Sequence, residues 1–429
     1  MSEFKKIDEV LDKKYVDKVI KLRGWVYRKR ELKDIVFLII RDSSNIIQCI
    51  VKKENEDFEK ARKITTESSL EILGVLKEDK RAPNGYEIEV KKLNVYNIAE
   101  RFPITKDQSK EFLLDVRHLW IRSRKMNSVL KVRSTVFSAI REFFTKNGYY
   151  EVQAPSFTKA ACEGGATLFE VKYFDEKVYL TQSWQLYAEA MIFSLEKIFC
   201  IAPSFRAEKS RTRRHLTEFW HAECEEAWKG NDEIMETEEK LICYLIKRVI
   251  EERKKELEFL KRDVTFLEKI KPPFPRIRYE EAIDIANKNG LNLNYKSDLG
   301  ADEERVISNQ FSTPFFIHHY PKELKAFYHR PDPKDPEHIL CNDLLAPEGY
   351  GEIIGGGERI WEKEVLIQRI KEQGLNPKDY EWYIDLRRYG SIPHAGFGLG
   401  IERFVTWICK LPHIMDSIPF PRTINRFYP

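Results

Sequence analysis

Five short apolar segments between Lys18 and Glu100 place the strongest constraint on the fold of this 429-residue chain. They are "VIKLRGWV", "DIVFLIIR", "NIIQCIVK", "SLEILGVLK" and "YEIEVKKLNVYNI". A polar helical stretch around residues 55–64 separates the third segment from the fourth, and the turn sequences "DSSN" and "APNG" divide the segments as separate strands require. Five strands with a helix between the third and the fourth predict a small closed β-barrel.

A barrel of this layout is of the oligonucleotide-binding (OB) type, whose surface contacts nucleic acid. Phe37 would offer a ring for base stacking, Gln48 a base-edge hydrogen bond, and Arg28 and Arg81 contacts to phosphate. The alternative is that these side chains only pack on the barrel surface or meet solvent.

Charge and cysteine usage limit the class of protein. The chain has 73 Lys and Arg against 69 Asp and Glu, a net charge of +4, so any site for a polyanion must be local. Seven cysteines without a C-x-x-C pair or zinc-finger spacing predict reduced thiols and a cytoplasmic protein. No apolar run has membrane-spanning length, and "MSEFKKIDEVLDKK" lacks the apolar core of a signal peptide. We therefore expect no membrane partner.

Residues beyond the barrel divide into a polar segment and a large mixed domain. We predict a barrel domain over 1–102, a hinge over 103–128 and an α+β domain over 129–429. The first helix of the large domain is predicted by apolar residues at helical spacing, namely Val129, Val132, Val136, Ile140 and Phe143. Asn147-Gly148 should end this helix, and a strand should run into Pro155. The charged segment 232–263 predicts a long surface helix.

One segment concentrates positive charge: "FRAEKSRTRRHLTEFW", from Phe205 to Trp220. Residues before Arg206 and after Leu216 predict two strands, joined by a basic loop over Lys209 to His215. Several guanidinium groups at a strand end and in a mobile loop suit a triphosphate, whose charge they can bind and release. The alternative is a solvated basic loop.

A glycine-rich segment near the carboxyl end, "GFGLGIER", adds a second phosphate-binding feature. Gly396, Gly398 and Gly400 let the backbone approach a ligand closely. They lead into a helix that carries Arg403 near its N-terminus, where the helix dipole also attracts phosphate. The chain has neither a P-loop sequence nor the dinucleotide-binding glycine spacing.

These segments together resemble the class II aminoacyl-tRNA synthetases, and within them the aspartyl/asparaginyl branch, over essentially the full length. "FRAE" with "RHLTEF" resembles motif 2, and "GFGLGIER" resembles motif 3. The helix and strand that end at Pro155 resemble motif 1, the dimer interface of that family. The resemblance implies an anticodon-binding barrel, a catalytic domain built on an antiparallel sheet flanked by helices, a homodimer, and use of ATP, Mg²⁺ and tRNA.

The resemblance implies seven ATP-binding residues: Arg206, Glu208, Arg214, His215, Phe219, Glu352 and Arg403. Arg206 would bridge the substrate carboxylate and the α-phosphate, while Glu208 and Phe219 hold the adenine. Arg214, His215 and Arg403 would bind the outer phosphates. Arg206 and Arg403 are therefore predicted catalytic residues, because they act on charge that develops at phosphorus.

The metal site implied by the resemblance consists of Asp343 and Glu352, since hard carboxylate oxygens suit Mg²⁺. The alternative for Asp343 is a residue at a loop start that satisfies its own backbone. A histidine pair, His318-His319, has no cysteine or carboxylate at ligand spacing, and we do not predict zinc there.

The resemblance also implies the amino-acid site. Glu163, Ser183, Gln185 and Glu223 match positions that surround the α-ammonium group. Arg359 matches the arginine that grips the side-chain carbonyl or carboxylate, a task that suits a bidentate guanidinium.

Two residues favour asparagine over aspartate as the substrate. Aspartyl enzymes of this family carry a lysine in a pattern like "SPQLYK", whereas this chain has Ala188 in "SWQLYAEA". Loss of that cation would leave a bound aspartate under-compensated by ~1–3 kcal/mol. Glu225 would accept a hydrogen bond from the amide nitrogen and repel a carboxylate, although it could instead be a paired carboxylate on its strand.

The sequence thus predicts ATP-dependent activation of L-asparagine and its transfer to tRNA(Asn). Three alternatives stay open at this point. They are an aspartyl enzyme, including one that charges both aspartate and asparagine tRNAs; a synthetase-derived enzyme that makes asparagine from aspartyl adenylate; and a non-enzymatic nucleic-acid-binding protein.

Overall fold

The computed structural model describes residues 3–159, 161–162, 167–210 and 212–429. The chain forms two compact units, Met1–Leu114 and Asp115–Pro429. The segment that we predict to be a hinge, 103–128, contains two short helices and the first turn of a long one. Its role as a hinge, and the boundaries at 102 and 128, stay predictions.

The first unit is a closed five-stranded barrel, as the sequence predicts. Its elements are α1 (Ile7–Val10), β1 (Val19–Glu31), β2 (Ile35–Arg41), β3 (Ile46–Lys52), α2 (Phe58–Lys63), β4 (Ser69–Glu78) and β5 (Tyr86–Asn97). The strand order is β1-β2-β3-β5-β4, with β3 and β5 parallel. Side chains alternate along each strand, so that Val36, Leu38 and Ile40 of β2 fill the barrel while their neighbours face outward. The OB-type barrel is confirmed, including the helix between its third and fourth strands.

Helix α3 (Lys110–Asp115) lies almost entirely in the first unit. The second unit has ten further α-helices among the described residues: α4 (Arg117–Trp120), α5 (Arg124–Lys146), α6 (Gln185–Leu195), α7 (Asn231–Phe259), α8 (Val264–Glu268), α9 (Tyr279–Lys288), α10 (Ala301–Ser308), α11 (Lys363–Glu372), α12 (Glu381–Arg388) and α13 (Ile401–Ile408). No helix in the described ranges is long and apolar enough to cross a membrane.

Its strands, in the part of the chain that the structure describes, form one large sheet and two small ones. They are β6 (Tyr150–Glu151), β7 (Phe157–Thr158), β8 (Glu170–Tyr173), β9 (Glu176–Leu180), β10 (Lys197–Phe205), β11 (Glu218–Ala227), β12 (Arg276–Arg278), β13 (Phe315–His318), β14 (Pro331–Asp332), β15 (Asp335–Ile339), β16 (Cys341–Ala346), β17 (Gly351–Glu358) and β18 (His394–Gly400). The large sheet has the order β12-β13-β16-β17-β18-β11-β10-β6. It is antiparallel except at its two outer pairs, β12/β13 and β10/β6. The predicted antiparallel sheet flanked by helices is confirmed.

The predicted first helix of the large domain is present as α5. Ser123 precedes it and accepts a hydrogen bond from the Met126 amide, and the chain turns at Gly148 with φ of 81°. The apolar stripe that predicts the helix is buried in the main core.

The long charged helix is shorter than the predicted span 232–263. Helix α7 ends at Phe259, and Lys261 adopts a positive φ of 61°. Asp263 then caps a separate helix, α8, by accepting hydrogen bonds from the amides of Thr265 and Phe266. The charge pattern does not indicate this break, because charged residues continue from the surface of α7 through the turn to α8.

Alternation along β11 separates the core from the candidate site. Ala222 and Cys224 belong to the main core with α5 and α7. Phe219, His221 and Glu223 point to the opposite face of the sheet and line cavities. The sheet therefore carries a dry face against the helices and a polar face for chemistry.

Candidate active site

Two adjoining cavities occupy the polar face of the large sheet. The seven predicted ATP-binding residues all line the outer cavity: Arg206, Glu208, Arg214, His215, Phe219, Glu352 and Arg403. The inner cavity is lined by predicted amino-acid and metal residues, namely Ser183, Gln185, Glu223, Asp343, Glu352 and Arg359. Arg206, His221 and Glu352 line both cavities. The fold thus joins segments separated by about half the chain into one continuous site.

The outer cavity holds a cluster of arginines around Glu352. Arg403 Nη1 lies 2.9 Å from Glu352 Oε2, and Arg214 Nη2 donates to the Glu352 carbonyl oxygen at 3.0 Å. Burial acts to raise the pKa of the Glu352 carboxyl, but the positive charges of Arg403 and Lys325 outweigh it and hold the pKa well below its usual range. Glu352 is therefore ionised at neutral pH.

Glu304 on α10 is a further acid of this cluster, and no sequence motif points to it. Its Oε2 lies 2.7 Å from Arg214 Nη1 and accepts the Glu352 amide hydrogen at 2.6 Å. Arg214 is thus held between two acidic residues, which fixes its guanidinium at the edge of the outer cavity.

Arg206 lies between the two cavities. Its guanidinium is 5.6 Å from the centre of the Phe219 ring, and its Nε is buried without a hydrogen-bond partner among the described residues. A buried donor without a partner is costly, and an anionic ligand in either cavity would satisfy it.

Two histidines in the site are neutral at pH 7. Burial and the charge of Arg403 lower the pKa of His215 to about 4. Burial and the charge of Arg206 lower the pKa of His221, whose Nδ1 lies 3.1 Å from Ser204 Oγ, to about 3. His215 would consequently meet a phosphate as a hydrogen-bond donor rather than as a cation.

Acceptors gather at one end of the inner cavity. Ser183 Oγ donates to Glu223 Oε1, and the Trp184 amide donates to Glu223 Oε2 at 3.3 Å. The Gln185 amide in turn donates to Ser183 Oγ at 3.1 Å. Glu163, which we predict to belong to this group, lies outside the described residues.

Arg359, which lines the inner cavity, forms a buried ion pair with Glu225, whose side chain is not part of the cavity lining. Arg359 Nε and Nη2 donate to the two carboxylate oxygens of Glu225 at 3.0 and 3.1 Å, and both side chains are at most 2% exposed. The same guanidinium lies 5.3 Å from the Tyr328 ring centre. Glu225 is therefore a paired carboxylate, and its partner is the arginine predicted to grip the substrate side chain.

Ala188 lies on α6 but does not line the inner cavity. It is buried in an apolar cluster with Trp184, Ile192, Ile198 and Cys200. The structure thus separates this residue from the described cavity wall, and its predicted part in choosing between amide and carboxylate stays a prediction.

The predicted metal ligands flank Gly355. Asp343 Oδ1 and Glu352 Oε1 each lie 3.4 Å from the position that a Cβ at residue 355 would take. The other oxygen of each carboxylate is held by a cation. Lys325 Nζ lies 2.6 Å from Asp343 Oδ2, and Arg403 Nη1 lies 2.9 Å from Glu352 Oε2. Each carboxylate thus directs one oxygen toward the space beside Gly355. Two carboxylate oxygens at a residue without a side chain fit a hard cation such as Mg²⁺.

Lys325 is a second residue that the sequence analysis did not single out. Burial alone would lower the pKa of Lys325, but the Asp343 carboxylate outweighs burial and raises it. The lysine is therefore charged at neutral pH, and it lines the inner cavity. By contrast, His221 had a readable signal, since it alternates with Phe219 and Glu223 on one strand.

The barrel carries the predicted RNA-binding residues on its outer surface. Arg28 is the cross-strand partner of Ile39, and Ile39 is the partner of Gln48. Phe37 lies two positions before Ile39 on β2, so these side chains share a face of the barrel. Phe37 and Gln48 are half-buried rather than exposed, and Gln48 Nε2 donates to Glu87 Oε2 at 2.9 Å.

Arg81 and Trp25 differ from the predicted arrangement of this surface. Arg81 lies in the connection between β4 and β5, where it pairs with Asp79 at 2.8 Å and is 90% exposed. Trp25 on β1 is 43% exposed with Arg41 beside its ring, and the sequence analysis did not single it out.

Comparison with known proteins agrees with both units. The family model of class II tRNA synthetases (D, K and N) matches residues 109–424, and the model of the OB-fold nucleic acid binding domain matches residues 20–96. The asparagine–tRNA ligase of Thermoplasma acidophilum is 55% identical over 99% of this chain and 99% of its own.

Solved structures show the same relationship. The crystal structure of asparaginyl-tRNA synthetase from Pyrococcus horikoshii complexed with asparaginyl-adenylate matches with a TM-score of 0.96 and 52% identity, covering 100% of both chains. The aspartyl tRNA synthetase from Entamoeba histolytica has a TM-score of 0.87 at only 27% identity, covering 100% of this chain and 93% of its own. From its motifs, its fold and these relatives, this protein belongs to the class II tRNA synthetases (D, K and N), within the group of asparagine–tRNA ligases.

Proposed function

We propose that the chain joins L-asparagine to tRNA(Asn), first forming asparaginyl adenylate and pyrophosphate from ATP. The observation that carries this proposal is the position of Arg206, which lies between a cation-lined outer cavity and an inner cavity lined by Arg359, the partner of Glu225. Two relatives at 55% and 54% identity are asparagine–tRNA ligases, and this supports asparagine over aspartate.

Activation requires two anions to meet. The α-carboxylate of the amino acid must approach the α-phosphate of ATP, and the two groups repel each other until cations lie between them. Arg206 has the position to contact both. The adenine would stack on Phe219 and bond to Glu208, while Arg214, Arg403 and neutral His215 bind the outer phosphates.

Magnesium fits the pair of carboxylate oxygens beside Gly355. Asp343 Oδ1 and Glu352 Oε1 would hold the ion, which when bound neutralises phosphate charge. Arg403 and Lys325 lower the pKa of Glu352, and each of these cations holds one oxygen of a ligand carboxylate in place. The chain's own contribution is therefore a pre-arranged pair of ligands.

Selection of asparagine would rest mainly on Arg359 and Glu225. Arg359 can donate to the side-chain carbonyl of asparagine, while Glu225 accepts from the amide nitrogen. The Glu225 carboxylate also offsets the charge of Arg359, so an aspartate side chain gains less from this arginine and is repelled by this glutamate. Glu163, Ser183, Gln185 and Glu223 would hold the α-ammonium group.

The remaining proposals concern partners. The outer face of the barrel, with Arg28, Phe37 and Gln48, would bind the anticodon of tRNA(Asn), and Arg81 would add a phosphate contact. We propose a homodimer formed through α5 and the strand after it. All seven cysteines are free thiols, which supports a reducing compartment and therefore the cytoplasm.

The decisive experiment is amino-acid-dependent exchange of pyrophosphate into ATP, measured with each of the twenty amino acids. Exchange with asparagine well above aspartate is expected, followed by charging of tRNA(Asn). Preference for aspartate would identify an aspartyl enzyme. Release of free asparagine from aspartate would identify an amide-forming enzyme, and absence of exchange with every amino acid would leave a nucleic-acid-binding protein.

A further inference from the structure

A buried charged cluster lies behind the inner cavity, and the activation chemistry above does not use it. We call it the rear cluster: Glu189, Tyr383, Arg387 and His394. Glu189 Oε2 accepts hydrogen bonds from Arg387 Nη2 at 2.5 Å and from the Tyr383 hydroxyl at 2.7 Å, and lies 2.9 Å from His394 Nε2. The side chains of Glu189, Arg387 and His394 are fully buried. Burying a carboxylate costs desolvation free energy even when it is paired, so a functional role for Glu189 is worth considering.

The rear cluster is connected to the amino-acid site at several points. Gln185, which lines the inner cavity, donates from Nε2 to Glu189 Oε1 at 3.1 Å. Arg387 Nε donates to the carbonyl of Ile360 at 2.8 Å, and the Arg359 amide donates to the carbonyl of His394 at 2.9 Å. The cluster therefore holds the backbone at and beside Arg359, which lines the inner cavity.

The charges of the rear cluster lie close enough to the Arg359–Glu225 pair to affect the electrostatic potential in the inner cavity. One carboxylate oxygen of Glu189, one of Glu225 and one imidazole nitrogen of His394 all lie within 4.8 Å of one another. Burial acts to raise the pKa of Glu189, but Arg387 outweighs it and holds the pKa well below its usual range. Two carboxylates thus face two guanidiniums, Glu225 with Arg359 and Glu189 with Arg387. Charges at such separations interact strongly because little water screens them.

We propose that Glu189 is a specificity-determining residue, whose carboxylate balances Arg387 and keeps the wall of the amino-acid cavity electrically neutral, so that the amide of asparagine is favoured over the carboxylate of aspartate. It acts through Gln185, Arg387 and the Arg359–Glu225 pair, and is in that sense a positioning residue. This inference rests on the proposed function and names a determinant of its substrate choice. An aspartate side chain would be a third carboxylate in a region already balanced by two pairs.

The test uses opposite substitutions in one ion pair. Glu189→Gln keeps the shape of the side chain but leaves the charge of Arg387 uncompensated, which attracts a carboxylate in the cavity. We expect the ratio of kcat/KM for asparagine to that for aspartate to fall about tenfold, mainly through a lower KM for aspartate. Arg387→Gln leaves Glu189 uncompensated, and the same ratio should rise.

Glu226→Gln is the matched control. Glu226 is equally buried on the same strand as Glu225, but its carboxylate bonds to Tyr149 and Thr237 on the other side of the sheet. Its ratio should equal that of the native enzyme. Pyrophosphate exchange with both amino acids on the full chain, with a thermal melt of each variant, provides all the measurements.

The outcomes separate this inference from the proposed function. A native protein that does not exchange with asparagine overturns the proposed function itself. A native protein that does, with both variants shifting the ratio in the same direction or matching Glu226→Gln, overturns the role of Glu189 alone. If Glu189→Gln does not fold, Arg387→Gln decides, because an unchanged or lower ratio contradicts the proposal.

Discussion

At the scale of single residues, the site depends on charges that are already paired before any substrate binds. Arg403, Arg214 and Arg359 each contact a carboxylate in the folded chain. Such pairs hold long side chains in place, so less conformational entropy is lost when a phosphate or amino acid binds. The arginines of the site are thus held in position by ion pairs before substrates bind.

Arg403→Ala should lower asparagine-dependent pyrophosphate exchange by about 10²–10³-fold, because the guanidinium stabilises charge that develops on the phosphates. Steady-state exchange kinetics measure the loss. Arg388→Ala removes an arginine from the surface of α12, where it pairs with Glu381 and Asp385, and should leave exchange unchanged. Near-normal exchange by a folded Arg403→Ala protein would remove Arg403 from the site.

Gly396→Ala should damage both stability and asparagine binding. An added Cβ would lie 2.0 Å from Glu225 Oε2 and 2.3 Å from the Cys224 carbonyl oxygen. The backbone atom cannot move aside, so we expect a loss of at least about 1–3 kcal/mol in unfolding free energy and a raised KM for asparagine. In Gly400→Ala the atoms nearest the new Cβ belong to Arg403, at 3.5 Å or more, and the melt of this variant should resemble that of the native protein.

His221 should make the fold sensitive to acid. Its pKa is about 3 in the folded chain against 6.5 when unfolded, so the unfolded state binds the proton first. The stability due to this group is complete above pH 6.5 and declines as the pH falls toward 3, by about 1.4 kcal/mol per pH unit. Urea unfolding at pH 7, 6 and 5 should show a shallower decline for His221→Gln. The exposed His118→Gln controls for loss of an imidazole, and parallel curves for native and His221→Gln would contradict the prediction.

At the scale of elements, local signals determine where helices start and stop. The apolar stripe of α5 is complete in the sequence, and both of its ends carry recognisable caps. The sequence predicts one helix where the structure has α7 and α8. The capping role of Asp263 depends on a turn at Lys261, which the surrounding charged residues do not indicate.

Ser123→Ala should destabilise α5 by ~1 kcal/mol, since the hydroxyl accepts the Met126 amide hydrogen at the first turn. A lower midpoint in thermal or denaturant unfolding would show it. Ser138→Ala, on the exposed face of the same helix, tests the loss of a serine without the loss of a cap. Equal melting of the two variants would show that the cap contributes nothing measurable.

At the scale of the whole molecule, the two units carry different steps of the proposed reaction. The cavities that would bind ATP and asparagine lie in the second unit, and the surface that would bind the anticodon lies on the barrel. Activation and tRNA charging should therefore respond separately to mutations.

Phe37→Ala should weaken charging of tRNA(Asn) by roughly 1–3 kcal/mol through lost base stacking, while leaving pyrophosphate exchange intact. Tyr96→Ala removes an exposed aromatic side chain near the end of β5, and should affect neither step. Equal losses of charging and exchange in Phe37→Ala would mean that Phe37 supports the barrel rather than the RNA contact.

The barrel, the fold class of both domains, and the strand–loop–strand and glycine-rich segments can be predicted from the sequence, because each has a local period or turn that neighbours in the chain enforce. The sequence also predicts many of the residues that line the two cavities, but not Lys325 or His221. Which charges form pairs depends on the tertiary structure. Glu225 and Arg359 are 134 positions apart, and Glu189 and Arg387 are 198 apart. The first pair joins β11 to the residue after β17, and the second joins α6 to α12, so both depend on the packing of distant elements, which no local pattern encodes. The displacement of Ala188 from the cavity wall has the same origin, since the direction of a buried side chain is settled by the packing around it.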